Sequence, residues 1–81
     1  MEYTGEEFGQ ALAAQLRAER AASGLTQDAL AKRVGVSKMT IRRYLSGERA
    51  VDVPHFVELA DALGLSIDEL IHRSKERVND K

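Results

Sequence analysis

Regularly spaced glycines, most of them followed two residues later by serine or threonine, constrain the fold of this chain more than any other feature. The glycines are Gly24, Gly35, Gly47 and Gly64, and the hydroxyl residues are Thr26, Ser37 and Ser66. Glycine readily adopts the left-handed conformation that ends many helices, and a serine or threonine hydroxyl caps the start of the next helix. No stretch alternates polar and apolar residues with period two. The sequence therefore predicts an all-α domain of short helices joined by tight turns.

Apolar residues recur at helical spacing between these turns and predict five helices. The first spans about residues 5–23, the second 26–34 and the third 37–46, Pro54 marks the first turn of the fourth, and Ser66 begins the fifth. The predicted core-facing residues are Phe8, Leu12, Leu16, Leu30, Val34, Ile41, Leu45, Phe56, Leu59, Ala60, Leu63, Ile67, Leu70 and Ile71. Thr4 with Glu7, and Ser66 with Glu69, have the spacing of a capping box. The architecture that follows is a compact five-helix domain.

Length and composition limit the chain to one small domain. The sequence has 81 residues, no cysteine and only two histidines, which have no cluster of further ligands near them. No apolar run approaches the roughly 20 residues that span a bilayer, and the acidic start is unlike a secretory signal. We expect a domain over residues 4–73, a frayed polar tail over residues 74–81, and a soluble cytoplasmic protein without a membrane segment, metal site or cofactor.

Charge is distributed unevenly along the chain, although its formal net charge is only −1. Residues 17–49 carry eight Lys/Arg and three Asp/Glu, a net charge of +5, whereas residues 1–16 and residues 50–81 each carry −3. A basic middle between acidic ends predicts one face that can meet phosphates while the others repel them. Chance clustering of charges on a solvated surface gives the same totals, so charge alone does not distinguish a phosphate-binding face from an ordinary surface.

The second and third predicted helices, joined by Gly35 and Val36, have the layout of a helix-turn-helix motif. With Ile41 and Leu45 facing the core, the exposed residues of the third helix are Lys38, Met39, Arg42, Arg43 and Ser46. Lysine and arginine can donate to guanine O6 and N7 in the major groove, and Met39 can pack against a thymine methyl. Basic residues are also common as solubilising surface. Together with the turn and its cap, they favour DNA binding.

Three stretches resemble the lambda-repressor-like (Cro/repressor, XRE-like) helix-turn-helix family. They are residues 25–37, 40–47 and 59–66, and the likeness extends over about residues 12 to 71. The resemblance implies a lambda-repressor-like fold with its helix-turn-helix at helices two and three. It also implies a DNA-binding regulator that holds double-stranded operator DNA.

The resemblance also implies roles for single residues. The implied base-reading residues are Lys38, Met39 and Arg43, with Arg42 adjacent, and the phosphate contacts are Arg20, Gln27, Ser37, Ser46 and Arg49. The glutamine is also expected to brace the third helix. Many members of the family carry a glutamate where this chain has Leu45, and that glutamate pairs with the arginine late in helix one. Here Arg20 lacks that partner, so it either pairs with Glu48 or is available for a phosphate.

Several functions are compatible with this fold. We expect a transcriptional regulator, a repressor of phage or prophage type, which dimerises through Ile67 and Ile71 of helix five or through a C-terminal region outside this chain. An antitoxin-type module of the same fold, whose main partner is a toxin protein, is the alternative; it requires a large apolar patch outside the motif. A purely structural helical domain would leave Gln27 and the basic face of the third helix unexplained. No nucleophile constellation or phosphate-binding loop indicates an enzyme.

Overall fold

The described part of the chain, residues 2–79 of a computed structural model, forms five helices and no strand. The helices are α1 (Gly5–Ser23), α2 (Gln27–Val34), α3 (Lys38–Ser46), α4 (Val53–Ala62) and α5 (Ile67–Asn79). The predicted all-α architecture is confirmed, the first three helices begin and end within about two residues of their predicted bounds, and Pro54 lies in the first turn of α4 as predicted. No helix in this part of the chain is long and apolar enough to cross a membrane.

Hydroxyl caps begin α1, α2, α3 and α5 as predicted, and the Asp52 carboxylate caps α4. Thr4 Oγ1 accepts from the Glu7 amide and Glu7 Oε1 accepts from the Thr4 amide, both at 3.0 Å, which completes the first capping box. The hydroxyls of Thr26, Ser37 and Ser66 accept in the same way from the amides of Ala29, Thr40 and Glu69. Glu69 Oε1 accepts from Arg73 Nε at 2.8 Å, so among the described residues only the serine half of the second box forms.

One fully buried aliphatic side chain from each helix meets at the centre of the core. These side chains are Leu16, Leu30, Ile41, Leu59 and Leu70. Helix α1 packs against α3 and α5, α2 packs against α3 and α4, and α4 packs against α5. The apolar face of α3 packs against both α1 and α2. The opposite face of α3 is therefore fixed in its orientation and exposed to solvent.

The predicted frayed tail is helical instead. Helix α5 continues to Asn79, and the side chains of Ser74 and Val78 are buried. They follow Leu70 at intervals of four residues, so all three lie on the face that packs against α1. Ser74 Oγ donates to the Leu70 carbonyl at 2.8 Å, which satisfies its buried hydroxyl. The last two residues of the predicted tail lie outside the described part of the chain.

Polar contacts tie this additional length of α5 to α1. Arg73 Nη1 donates to Glu19 Oε2 at 2.6 Å, and Arg77 Nε donates to Gln15 Oε1 at 2.6 Å. Hydrogen bonds to Glu19 and Glu69 raise the pKa of Arg73. The end of α5 is therefore part of the domain, and the domain extends beyond the predicted boundary at residue 73.

Candidate nucleic-acid interface

The turn between α2 and α3 fixes the angle between the two helices. Gly35 has a φ of 83° and a ψ of 32°, and its amide and that of Val36 both donate to the Ala31 carbonyl, at 2.9 and 3.0 Å. This is the left-handed helix ending that favours glycine. Val36 is half-buried against the core, and Ser37 caps α3. The N-terminal turn of α3 consequently points away from the core.

Helix α3 divides into a buried and an exposed face. Ile41, Tyr44 and Leu45 are buried. The exposed residues are Lys38, Met39, Arg42, Arg43 and Ser46. Among the described residues the first turn of α3 contains no acidic side chain. The predicted division of the helix is confirmed, and the basic face is free of the core.

Two side chains of α1 hold the C-terminal end of α3. Arg17 Nη1 donates to the Leu45 carbonyl, and Gln10 Nε2 donates to the Gly47 carbonyl at 3.2 Å. These are carbonyls that the end of a helix leaves without an intrahelical partner. No motif in the sequence indicates either side chain. The only available signal was their separation by seven residues, which places both on one face of α1.

Position 45 departs from the family resemblance in a way that the structure explains. Leu45 is buried, and its carbonyl rather than its side chain meets an arginine of α1, Arg17. Arg20 Nη1 donates to the Leu25 carbonyl at 2.7 Å, and within residues 2–79 it forms no ion pair with Glu48. Arg20 therefore braces the turn before α2, and its contact to a DNA phosphate remains a prediction.

A second cluster packs the loop after α3 against α4. The Tyr44 hydroxyl lies 2.6 Å from His55 Nδ1, which in turn lies 3.3 Å from Asp52 Oδ2. The Arg49 guanidinium lies over the Tyr44 ring, 5.7 Å from its centroid. Burial raises the pKa of Tyr44, the nearby Asp52 carboxylate raises it further, and Arg49 lowers it. This cluster orients Arg49, and it makes His55 a structural partner of Tyr44.

The other predicted phosphate contacts lie around the motif. Ser37 caps α3, and Ser46 Oγ donates to the Arg43 carbonyl at 3.1 Å. Gln27 is exposed as the first residue of α2, and in the described part of the chain its side chain forms no hydrogen bond to α3. Both roles that the resemblance implies for Gln27, bracing of α3 and contact with a phosphate, therefore stay predictions.

Replacing Gly47 by alanine is expected to test the contact between α1 and the end of α3. Gly47 has a φ of 83°, and an added Cβ would lie 2.7 Å from Gln10 Oε1. We expect a loss of unfolding free energy of about 1–2 kcal/mol from the left-handed backbone, plus about 0.5–1.5 kcal/mol from the broken Gln10 hydrogen bond. Urea unfolding, monitored by circular dichroism, measures the total loss.

Gly64→Ala is the matched control for this substitution. Gly64 has a φ of 76°, but an added Cβ would meet nothing within 4 Å. It should therefore lose only the backbone contribution. Equal losses for the Gly47 and Gly64 variants would show that Gln10 adds nothing to the stability of the α3 end.

Comparison with known proteins agrees with this geometry. The model of the helix-turn-helix family matches residues 16–70. The cryptic phage CTXphi transcriptional repressor RstR of Vibrio cholerae is 39% identical over 59 residues, which make up 73% of this chain and 53% of that protein. The chain thus spans about half the length of this curated relative.

Two solved structures have folds similar to most of this chain. The clp gene regulator ClgR of Corynebacterium glutamicum has a TM-score of 0.85 at 26% identity, over 89% of this chain and 77% of that one. The restriction-modification controller protein C.AhdI of Aeromonas hydrophila has a TM-score of 0.72 at 31% identity, over 75% of this chain and 92% of that one. Both likenesses cover three quarters or more of the chain, so they are not limited to the two helices of the motif.

Proposed function

We propose how this chain, which belongs to the helix-turn-helix family and is a DNA-binding transcription regulator, binds its target: α3 enters the major groove of operator DNA. The observation that carries the proposal is the exposed basic face of α3, presented by a capped N-terminus directly after a glycine turn. An α-helix fits the major groove of B-DNA, and its side chains then reach the base edges. The family and its relatives are regulators, so the chain is not an enzyme.

Residues on and around α3 divide between base edges and phosphates. We assign base reading to Lys38, Met39, Arg42 and Arg43, all exposed on α3. We assign phosphate contacts to Arg20, Gln27, Ser37, Ser46 and Arg49. Phosphate contacts fix the register of a protein on the duplex, whereas base contacts supply its sequence preference. Arg49 supports this division, because the Tyr44 ring holds its guanidinium beside the end of α3.

Repression is the regulatory outcome that we propose. The phage repressor RstR is similar over most of this chain, which supports a regulator of phage or prophage type that occupies an operator. The relatives named above are regulators and a controller protein, and none is described as an antitoxin. The toxin-binding alternative therefore has no support from them.

A homodimer through α5 would explain how so small a domain binds tightly. One domain of this size covers only about 600–1,000 Å² on DNA, and paired domains bind half-sites about 34 Å apart. Ile67 is exposed and Ile71 is half-buried on α5, next to Val53 and Val57 of α4. The apolar surface is thus larger than the helix-five face that the sequence predicted, and it is available to a second copy of the chain.

Gel-shift titration with the DNA upstream of its own coding sequence tests this function. We expect a specific complex whose log K falls with log salt by about 0.9 for each phosphate contact, and protection of two half-sites if the protein dimerises. A scrambled duplex of the same length and composition is the control. Absence of binding to either duplex at about 50 mM salt would rule out the proposed function.

A further inference from the structure

An exposed ion pair joins the two helices of the motif across their turn. Lys38 Nζ lies 3.1 Å from Asp28 Oδ2, and the two side chains are 75% and 57% exposed. Asp28 is the second residue of α2 and Lys38 the first residue of α3. An ion pair this exposed contributes little to the free energy of unfolding. We therefore expect it to act on the role of Lys38 in DNA binding.

Lys38 occupies a position where a positive charge is unfavourable in the free protein. The N-terminal end of a helix carries a partial positive charge and favours anions. The first turns of α1, α2 and α5 contain acidic residues, whereas among the described residues those of α3 and α4 contain none. Helix α4 is capped by the carboxylate of Asp52, but α3 is capped by a serine and begins with Lys38. Asp28 supplies the missing anion from the neighbouring helix. On DNA, the same site would receive a phosphate or a guanine edge.

Asp28 also lies where a negative charge opposes DNA binding. Its carboxylate lies 3.1 Å from the ammonium of Lys38, to which we assign base reading, so it would lie close to bound DNA. Its pairing with Lys38 offsets that repulsion and at the same time limits the reach of the lysine ammonium. A lysine without this partner could follow phosphates on any sequence, because its flexible stem allows many positions of the charge.

We infer that Asp28 is a positioning and specificity-determining residue that acts through Lys38. It competes with phosphates for the ammonium group and directs Lys38 toward base edges near the N-terminus of α3. Non-specific DNA must replace the Asp28 contact with a single phosphate, whereas an operator guanine offers two acceptors, O6 and N7. The carboxylate therefore weakens non-specific binding more than operator binding. This inference rests on the proposed function.

Fluorescence-anisotropy titrations on an operator duplex and a scrambled duplex test the inference. Asp28→Asn is expected to tighten binding to the scrambled duplex about three- to fivefold, the range that an exposed ion pair can supply, and to change operator binding less than twofold. The dependence of the scrambled-duplex affinity on salt should steepen by about one phosphate contact. Asp28→Glu should restore the wild-type ratio of the two affinities.

Two further variants separate this mechanism from plain charge repulsion. In a Lys38→Met background, Asp28→Asn should leave the ratio of the two affinities unchanged, because its partner is gone. Asp68→Asn removes another exposed carboxylate, from the first turn of α5, and should leave the ratio at the wild-type value. An effect of Asp28→Asn that persists without Lys38, or that strengthens both duplexes equally, would overturn the inference. If the wild-type protein bound operator and scrambled DNA with the same affinity, both this inference and the proposed function would be overturned. If the wild type preferred the operator and Asp28→Asn left that preference unchanged, only the inference would be overturned.

Discussion

Replacing Ile41 by alanine is expected to lower the free energy of unfolding by about 2–5 kcal/mol and to leave sequence preference intact. Ile41 is fully buried on the inner face of α3. Its truncation removes apolar contacts and leaves a cavity that the surrounding helices fill only partly. Since small domains are stable by only about 5–15 kcal/mol, the variant should unfold at a much lower urea concentration. Its folded fraction should still discriminate operator from scrambled DNA as the wild type does.

Met39→Ala is the matched control, because it truncates an apolar side chain two residues earlier on the same helix. Met39 is 52% exposed, so its removal should change the free energy of unfolding by no more than about 0.5 kcal/mol. Its effect should appear in binding, at a position where the operator presents a thymine methyl. Equal destabilisation by the two variants would contradict the division of α3 into a structural face and a reading face.

The helices of this fold could be predicted because their determinants are local. Each hydroxyl cap bonds an amide three residues further along, as Ser37 does with Thr40, and each terminal glycine needs only its own backbone conformation. The apolar spacing of α3 likewise repeats within two turns. These interactions connect residues that are neighbours in the sequence, so a pattern of residue types is enough to specify them.

The end of α5 could not be predicted because its burial depends on α1. Ser74 reads as a polar residue, but it is buried where α5 packs against α1, and the Leu70 carbonyl satisfies its hydroxyl. The residues that follow are charged, and their partners are far away in the sequence, as Arg77 is from Gln15. Composition alone therefore predicts a frayed tail at this end of the chain.

The candidate site was predictable in its outward face but not in the contacts that position it. Exposure of Arg42 and Arg43 follows from helical periodicity once Ile41 is assigned to the core. The Arg17 contact to the Leu45 carbonyl and the Lys38–Asp28 pair join different helices, so they depend on how those helices pack. No spacing rule within one helix indicates them. The sequence therefore identified the exposed face of α3, while the structure identified the contacts that fix the direction of that face.

Replacing Arg43 by alanine is expected to weaken operator binding by about 1–3 kcal/mol and to relax base preference at one position. Arg43 is exposed in the last turn of α3, and the guanidinium at the end of its side chain is the group that would reach a base edge. A lost bidentate contact to guanine removes discrimination at that base pair and leaves the others unaffected. Anisotropy titration against a set of operators, each changed at one base pair, measures this loss. Because the side chain lies outside the core, the urea midpoint should remain close to that of the wild type.

Gln27→Ala is the companion to this variant, since it removes a proposed phosphate contact at the start of α2. It should weaken binding to operator and scrambled DNA by the same factor, because a phosphate is present at every position of every sequence. The preference among the altered operators should then match that of the wild type. If Arg43→Ala and Gln27→Ala reduced binding to all duplexes equally, Arg43 would be a phosphate contact, and base reading would rest on Lys38, Met39 and Arg42.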